Sequence, residues 1–179
     1  MSNFYTGKGD KGRSYVSKKS VLKTCVEIEA LGQLDELNSM IGVVKTEKIT
    51  GTLKVALHQI QENLFTVQSN VAGIMLDSSF KVPEFSSKKL KEMGGLINDI
   101  EKRLPPLKNF VISGTNRISA EIDLLRAKSR NVERSVLKIK KINKLDPDIR
   151  AYLNRLSSLF FALARWEARK HKEEKPTYR

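Results

Sequence analysis

The fold of the chain is decided by VEIEALGQLDELNSMIGVVK, residues 26–45. Apolar side chains recur there at every third or fourth position, which is the period of an α-helix. They cover one broad face, and such a face buries against other helices. The stretch therefore predicts one member of a helical bundle. The residues of the face are Ile28, Leu31, Leu34, Leu37, Met40, Ile41 and Val44.

Four later segments have the same apolar period and predict four more helices. Pro105-Pro106 ends the third helix, and Asp146-Pro147 predicts a cap followed by proline in the first turn of the fifth. Residues 15–25, before the first helix, indicate short extended or irregular chain. The second helix is predicted over about residues 53–76, the fourth over about 116–138 and the fifth over about 148–172. The third is predicted to start after a cap at Ser86-Ser87 and to reach about residue 103.

No internal repeat or low-complexity linker divides the chain, so we predict a single domain over residues 1–179. Its expected class is all-α, a five-helix up-and-down bundle with an N-terminal glycine-rich phosphate-binding loop. The loop would occupy residues 1–25 and the bundle residues 26–172. The tail at residues 173–179 is expected to be frayed.

Composition excludes several classes of protein. No apolar stretch approaches the roughly 20 residues of a membrane span, and the N-terminus lacks a signal-peptide core, so we expect a cytoplasmic protein with no membrane partner. Cys25 is the only cysteine and there are two histidines, which argues against a disulfide or a cysteine- or histidine-rich metal site. No metal-ligating side chain is therefore predicted.

The chain is strongly basic, with a net charge of +13. This balance favours polyanionic partners, which include nucleic acids, anionic membranes and phosphorylated small molecules. The lysines and arginines are nevertheless spread along the whole chain, aromatic residues make up only 7%, and no RNA-stacking motif is present. The charge by itself does not choose among these partners.

The N-terminal run TGKGDKGRS, residues 6–14, has the composition of a phosphate cradle. Three glycines within six residues allow a tight backbone whose N–H groups face an anion, and three cations and a serine hydroxyl lie beside them. The run nearly matches the Walker A pattern, but Arg13 stands in place of the lysine. The strand and helix that flank a Walker loop are also missing, so that interpretation is disfavoured. A plain surface turn is the competing interpretation.

The fourth helix carries a polar face. Arg126, Arg130, Glu133 and Arg134 lie at positions i, i+4, i+7 and i+8 and so share one side of the helix. A solvated surface would explain this spacing equally well. A binding surface is the alternative, in which the arginines recognise phosphate and Glu133 holds a guanidinium or a ribose hydroxyl.

Two other helices carry polar side chains within apolar runs. Asp35, Glu36 and Asn38 interrupt the first helix, and Asn154-Arg155 interrupts the fifth. We expect Asp35 or Glu36 to pair with an arginine of another helix or another subunit. Bundles build sites where several helices bring polar groups to facing surfaces.

Four blocks of the chain, in this order, resemble the PduO-type ATP:cob(I)alamin adenosyltransferases. YTGKGDKGRS resembles the phosphate loop of that family, and ALGQLDELNSMIG resembles its first conserved helix. LLRAKSRNVERSV resembles its arginine-rich helix, and YLNRLSSLFFALAR resembles its last helix. Three positions differ from the family pattern: Asn131 replaces a second arginine, Asp123 a frequent histidine, and Ser113-Gly114-Thr115 a proline- and glycine-rich turn.

The resemblance implies a homotrimeric bundle with ATP and cobalamin bound between subunits. Phe110 would pack against the lower face of the corrin ring, and Arg126 would pair with Asp35 across the subunit boundary. With Arg130, these three form the expected catalytic set. The expected nucleotide-binding residues are Thr6, Gly7, Lys8, Gly9, Ser14, Tyr15, Lys23, Arg130, Asn131, Glu133, Arg134 and Asn154.

The implied reaction transfers the 5′-deoxyadenosyl group of ATP, bound with Mg²⁺, to cobalamin reduced to the Co(I) state. It yields adenosylcobalamin and triphosphate. A reductase and an adenosylcobalamin-dependent enzyme would be partners, and no nucleic acid is expected. Two alternatives stay open at this point. One is a basic helical protein that binds nucleic acid, and the other is a non-catalytic protein that binds ATP or carries cobalamin.

Overall fold

Five helices make up most of the part of the chain that the computed structural model describes, residues 4–76, 80–107 and 109–177. A two-stranded hairpin precedes them, and a single 3₁₀ turn at Ile142–Lys144 links the last two helices. The strands are β1 (Arg13–Val16) and β2 (Lys19–Leu22). The helices are α1 (Val26–Thr46), α2 (Gly51–Gly73), α3 (Ser87–Glu101), α4 (Arg117–Leu137) and α5 (Pro147–Ala168).

Four of the five helices begin at a residue whose side chain caps the first backbone N–H groups, whereas Cys25 at the start of α1 makes no such bond. The Thr50 hydroxyl accepts a hydrogen bond from the N–H of Leu53 at 3.3 Å, and Ser86 caps α3 in the same way. Asn116 and Ser119 form a reciprocal capping box at the start of α4. Asp146 caps α5, and Pro147 occupies its first turn, as the sequence predicts.

Three helices end earlier than the apolar period suggests. α2 ends at Gly73, where a Cβ atom would lie 2.5 Å from Cγ1 of Val82, so the returning chain packs directly on the glycine. α3 ends at Glu101, two residues before the predicted end. α5 ends at Ala168, and just beyond it the Arg169 guanidinium lies 4.0 Å over the Trp166 ring and donates to the Trp166 carbonyl.

The inward faces of the helices form one hydrophobic core. The main packing pairs are α4 with α5, α1 with α4, α1 with α2, and α3 with α5. Phe85, before α3, meets Tyr152 of α5 edge to face at 5.2 Å between ring centroids. The pairs α2–α3 and α3–α4 are not among the main contacts, so the up-and-down order stays a prediction. None of the described helices is long and apolar enough to cross a membrane.

The hairpin corrects the all-α prediction, because residues 13–22 form regular antiparallel pairs. Of the two alternatives predicted for residues 15–25, the extended one is confirmed where the strands lie. Val16 pairs with Lys19, so Ser17 and Lys18 alone make the turn. Ser17 takes a φ of 55°, a left-handed conformation that usually needs glycine. The Lys19 ammonium donates to the Met75 carbonyl at 2.7 Å and fastens the hairpin to the end of α2.

Tyr152 gives the fold a predicted dependence on alkaline pH. Burial raises the pKa of its hydroxyl, while the hydrogen bond from Asn63 at 3.3 Å lowers it slightly. The hydroxyl therefore ionises more readily in the unfolded chain, so its contribution to stability is complete below about pH 10 and is lost at higher pH. At neutral pH we expect Tyr152→Phe to lower the free energy of unfolding by about 1 kcal/mol, because the Asn63 amide loses its hydrogen-bond acceptor. The variant should also show a shallower fall in stability above about pH 10.

Denaturant unfolding at about pH 8 and about pH 10.5 measures this effect. Tyr15→Phe is the control, because the Tyr15 side chain is 51% exposed. An alkaline loss of stability that is equal in Tyr152→Phe and in the unsubstituted protein would show that Tyr152 is not its source.

Candidate functional site

The N-terminal loop and the hairpin enclose a cationic pocket of about 450 Å³, called here the loop pocket. Six of its lining residues are among the predicted nucleotide-binding residues, and none of the lining residues is acidic. Gly7, also predicted, does not line the pocket. A pocket with this charge is suited to a polyanion. The lining residues are Thr6, Lys8, Gly9, Arg13, Ser14, Tyr15, Ser17 and Lys23.

Two tight turns shape the N-terminal loop beside the loop pocket. The N–H of Asp10 donates to the Gly7 carbonyl at 3.3 Å, and the N–H of Gly12 donates to the Gly9 carbonyl at 3.1 Å. Gly7 and Gly12 have φ angles of 68° and 74°, in the region that favours glycine. The N–H of Lys23 then donates to the Gly12 carbonyl at 3.0 Å, which closes the loop against the end of the hairpin.

The space above Gly9 is occupied by a cation. A Cβ atom at Gly9 would lie 3.1 Å from the Lys23 ammonium and 3.3 Å from the Arg13 carbonyl oxygen. The missing side chain therefore lets Lys23 reach over the loop backbone. Its charge is thereby placed directly over Gly9, a residue of the pocket lining.

Arg13 is a pocket residue that the resemblance does not assign. Its guanidinium donates to the hydroxyl of Ser20 at 2.7 Å and to the Ser20 carbonyl at 3.2 Å. These bonds hold the cation across the hairpin and against the wall of the loop pocket. Lys11, its neighbour in the sequence, is exposed and does not line the pocket. The signal for Arg13 was its place in the basic glycine-rich run.

A second pocket, of about 220 Å³, lies between α4 and α5 and is called here the helix pocket. Arg126 and Arg130, one turn apart on α4, face Ser157, Ser158 and Phe161 of α5. The arginines were predicted, whereas the α5 residues were not. Serine and phenylalanine on a core helix carry no chemical signal in the sequence.

The other polar residues of α4 contact their neighbours within the chain. Asn154 Nδ2 of α5 donates to Glu133 Oε1 at 2.9 Å, so two predicted nucleotide-binding residues meet. The guanidinium or ribose hydroxyl suggested for Glu133 stays a prediction. Arg134 donates to the side chain of Asn131 on the same helix face.

Asp35 and Phe110 lie apart from both pockets. Asp35 is exposed on α1 and has no ion pair within the part of the chain that the structure describes. Its neighbour Glu36 pairs with Lys128 of α4. The expected pairing of Asp35 or Glu36 with an arginine of another helix or subunit stays a prediction. Phe110 is 78% exposed in the segment between α3 and α4.

The predicted site residues therefore fall into separate groups within one chain. No residue lines both pockets. Among the described residues, no group of three or more His, Cys, Asp or Glu side chains could hold a metal ion.

The comparisons with known proteins define the class of the chain. Residues 4–167 match the family model described as cobalamin adenosyltransferase. The chain belongs to this family, which makes it an enzyme of the corrinoid adenosyltransferase class. It is 30% identical over 168 residues to the corrinoid adenosyltransferase of Citrobacter freundii, across 93% of this chain and 96% of that protein. It is 32% identical over 185 residues to human corrinoid adenosyltransferase MMAB, across 99% of this chain and 74% of that protein.

Solved structures share the fold. A variant PduO-type ATP:corrinoid adenosyltransferase from Lactobacillus reuteri, complexed with cobalamin and ATP, superimposes with a TM-score of 0.91 at 24% identity. The match covers 98% of this chain and 100% of that one. A second variant of that enzyme, complexed with ATP, matches with a TM-score of 0.86 at 25% identity over 98% of this chain and 100% of that one.

Proposed function

We propose that this protein transfers the 5′-deoxyadenosyl group of ATP to cob(I)alamin, forming adenosylcobalamin and releasing triphosphate. The observation that carries the proposal is the loop pocket, in which six residues assigned to ATP by resemblance surround one cationic space. Membership of the cobalamin adenosyltransferase family supports the reaction. It also disfavours the nucleic-acid-binding and non-catalytic alternatives.

The triphosphate of ATP is assigned to the loop pocket. Lys8 and Lys23 supply charge, and Thr6 and Ser14 supply hydroxyl donors. Mg²⁺ would be held mainly by phosphate oxygens and water, as it commonly is in nucleotide sites. Asp10, whose carboxylate lies beside Gly7 in the loop, is the carboxylate we assign to approach such an ion.

The chemical step needs no protein nucleophile or base. The Co(I) electron pair attacks C5′ of ATP, the cobalt–carbon bond forms, and the C5′–O bond breaks as triphosphate leaves with the bonding electrons. The cations of the loop pocket stabilise the charge that develops on the leaving oxygen. The remaining contribution of the protein is to hold cobalt in line with C5′.

The helix residues complete the site from a neighbouring subunit of a homotrimer. Arg130, Asn131, Glu133, Arg134 and Asn154 are assigned to ATP, and Arg126 to a pair with Asp35 of the partner subunit. Two observations support this assembly: Asp35 has no ion pair within the described chain, and the two pockets share no residue. Several large apolar side chains on helix surfaces would also be covered, namely Val43, Val55, Phe65 and Leu124.

Phe110 is assigned to the lower face of the corrin ring. Its exposed ring can pack there and exclude a lower axial ligand from cobalt. Without that ligand the electron-accepting orbital of Co(II) falls in energy, so reduction to Co(I) becomes easier. A reductase would supply the electron, and an adenosylcobalamin-dependent enzyme would receive the product. We further propose that residues 1–179 act as one cytoplasmic domain with an up-and-down bundle.

Gly9→Ala should weaken ATP binding selectively. The new methyl group would press on the Lys23 ammonium and the Arg13 carbonyl, so Lys23 must move away from the loop backbone. We expect an increase in the dissociation constant for Mg-ATP of about tenfold, with folding intact. Gly32→Ala in α1 is the matched control, because a Cβ atom at Gly32 would meet nothing within 4 Å. Calorimetric titration with Mg-ATP measures both, and equal affinities would exclude Lys23 and Gly9 from the ATP site.

Anaerobic turnover tests the reaction itself. Reduced cobalamin and Mg-ATP should give the absorption spectrum of a cobalt–carbon product when the protein is added. Binding of both substrates without product, under strong reduction, would identify a non-catalytic binding protein. Absence of ATP binding, with affinity for nucleic acid that falls steeply with salt, would identify the nucleic-acid alternative.

A further inference from the structure

A chain of ion pairs with a buried centre connects the C-terminal tail to the helix pocket. Arg165 of α5 is 4% exposed and is bound by two carboxylates, Glu173 Oε1 at 2.5 Å and Asp123 Oδ2 at 2.5 Å. The other oxygen of Asp123 lies 3.3 Å from Nε of Arg126, a residue of the helix pocket. The Arg165 guanidinium also lies 5.3 Å over the ring of Phe161, another residue of that pocket.

The same tail is bonded to the segment that carries Phe110. Ile112 lies two residues beyond Phe110, and its N–H donates to the carbonyl of Glu174 at 2.9 Å. This contact corrects the expectation of a frayed tail for residues 173 and 174. The tail lacks helical hydrogen bonds there, but an ion pair and a backbone bond to other segments hold it.

Arg165 therefore joins two parts of the molecule that the sequence keeps far apart. One part is the helix pocket, where Arg126 and Phe161 lie, and the other is the segment that carries Phe110. A buried arginine with two charged partners has little freedom, because leaving either carboxylate would leave charge uncompensated in a low-dielectric site. Its fork of nitrogens reaches both carboxylates at once, which the single ammonium of a lysine does not.

We propose that Glu173, Arg165 and Asp123 are positioning residues that hold the Phe110 segment in register with Arg126. The proposal rests on the function proposed above, because one end of this chain of ion pairs, called here the relay, is the Phe110 segment assigned to the corrinoid. The other end is Arg126, assigned to the subunit boundary. Loss of the tail contact would loosen the corrinoid side alone. The loop pocket contains none of these residues and would keep its affinity for ATP.

Glu173→Gln tests the relay, and Glu174→Gln is its matched control. Both variants lose one negative charge from neighbouring positions, but the Glu174 carboxylate has no ion pair within the described residues, and its bonded carbonyl belongs to the backbone. Hydrogen exchange of the peptide covering residues 109–115, measured by mass spectrometry without ligands, reports the Ile112 bond. We expect exchange at Ile112 about tenfold faster in Glu173→Gln and unchanged in the control.

Steady-state kinetics provide the second readout. Glu173→Gln should raise KM for reduced cobalamin about tenfold and leave KM for ATP within about twofold, a split that general destabilisation does not produce. Ile112→Pro, which removes the N–H donor without touching Arg165, should give the same split. The double variant should raise KM for reduced cobalamin no more than either single variant does, because the two substitutions break the same linkage.

Three results would overturn the proposal. Equal exchange at Ile112 in the two glutamine variants would show that Glu173 does not hold the segment. Faster exchange with an unchanged KM for cobalamin would remove the positioning role. Equal rises in KM for both substrates would also remove it. If the unsubstituted protein forms no product, the proposed reaction fails, while the exchange experiment still decides whether the tail contact exists.

Discussion

Arg130→Ala is expected to lower kcat/KM for ATP by about 100- to 1,000-fold, the range for losing a cation that stabilises charge in a transition state. Arg130 lines the helix pocket and is exposed, and no hydrogen bond or ion pair within the described chain uses its guanidinium. The side chain is thus available to a ligand, and its loss leaves no buried partner behind. Circular dichroism and thermal unfolding should match the unsubstituted protein.

Arg103→Ala is the matched control for this variant. It removes one positive charge from an exposed arginine just after the end of α3, outside both pockets. We expect its turnover to stay within about twofold, because general attraction of ATP by a highly basic protein changes little with one charge. If Arg130→Ala were as active as Arg103→Ala, the polar face of α4 would be a solvated surface and not part of the site.

Phe110→Ala is expected to slow adenosylation about 100-fold when the reaction starts from cob(II)alamin and a reductant, an energy of about 2.7 kcal/mol. When the reaction starts from cob(I)alamin, the loss should be only about tenfold. The reason is that the proposed task of the ring, exclusion of a lower ligand, is needed before reduction. Parallel anaerobic assays from the two oxidation states measure the difference.

Phe110→Leu is the control at the same position, because it keeps an apolar side chain that still excludes water. We expect it to retain most of the activity in both assays. Folding should be unaffected in either variant, since the native side chain is 78% exposed. Equal losses of Phe110→Ala from both oxidation states would mean that the ring acts in binding or assembly and not in the reduction of cobalt.

The helices were predictable from the sequence because each has a clear apolar period, and capping residues mark the starts of α3 and α5. α1 and α4 begin and end within one or two residues of the predicted positions. The hairpin was not predictable, since its strands have four residues each and its turn lacks the glycine or asparagine that marks such loops. Ser17 adopts the left-handed conformation without that signal.

The site was predictable where composition carries the chemistry. Glycines and lysines marked the loop pocket, and four polar residues at helical spacing marked α4. The relay through Arg165 was not predictable, because Asp123 and Glu173 lie 42 and 8 residues from it in the chain. Only the packing of α4 on α5 and the return of the tail bring these charges together.

Counting the products tests the central claim most directly. Reduced cobalamin and Mg-ATP should be incubated anaerobically with the protein, and adenosylcobalamin and the polyphosphates separated and quantified. The account predicts one triphosphate for each adenosylcobalamin formed, because the C5′–O bond is the one that breaks. ADP and phosphate in place of triphosphate, or bound ATP that stays intact beside reduced cobalamin, would contradict it.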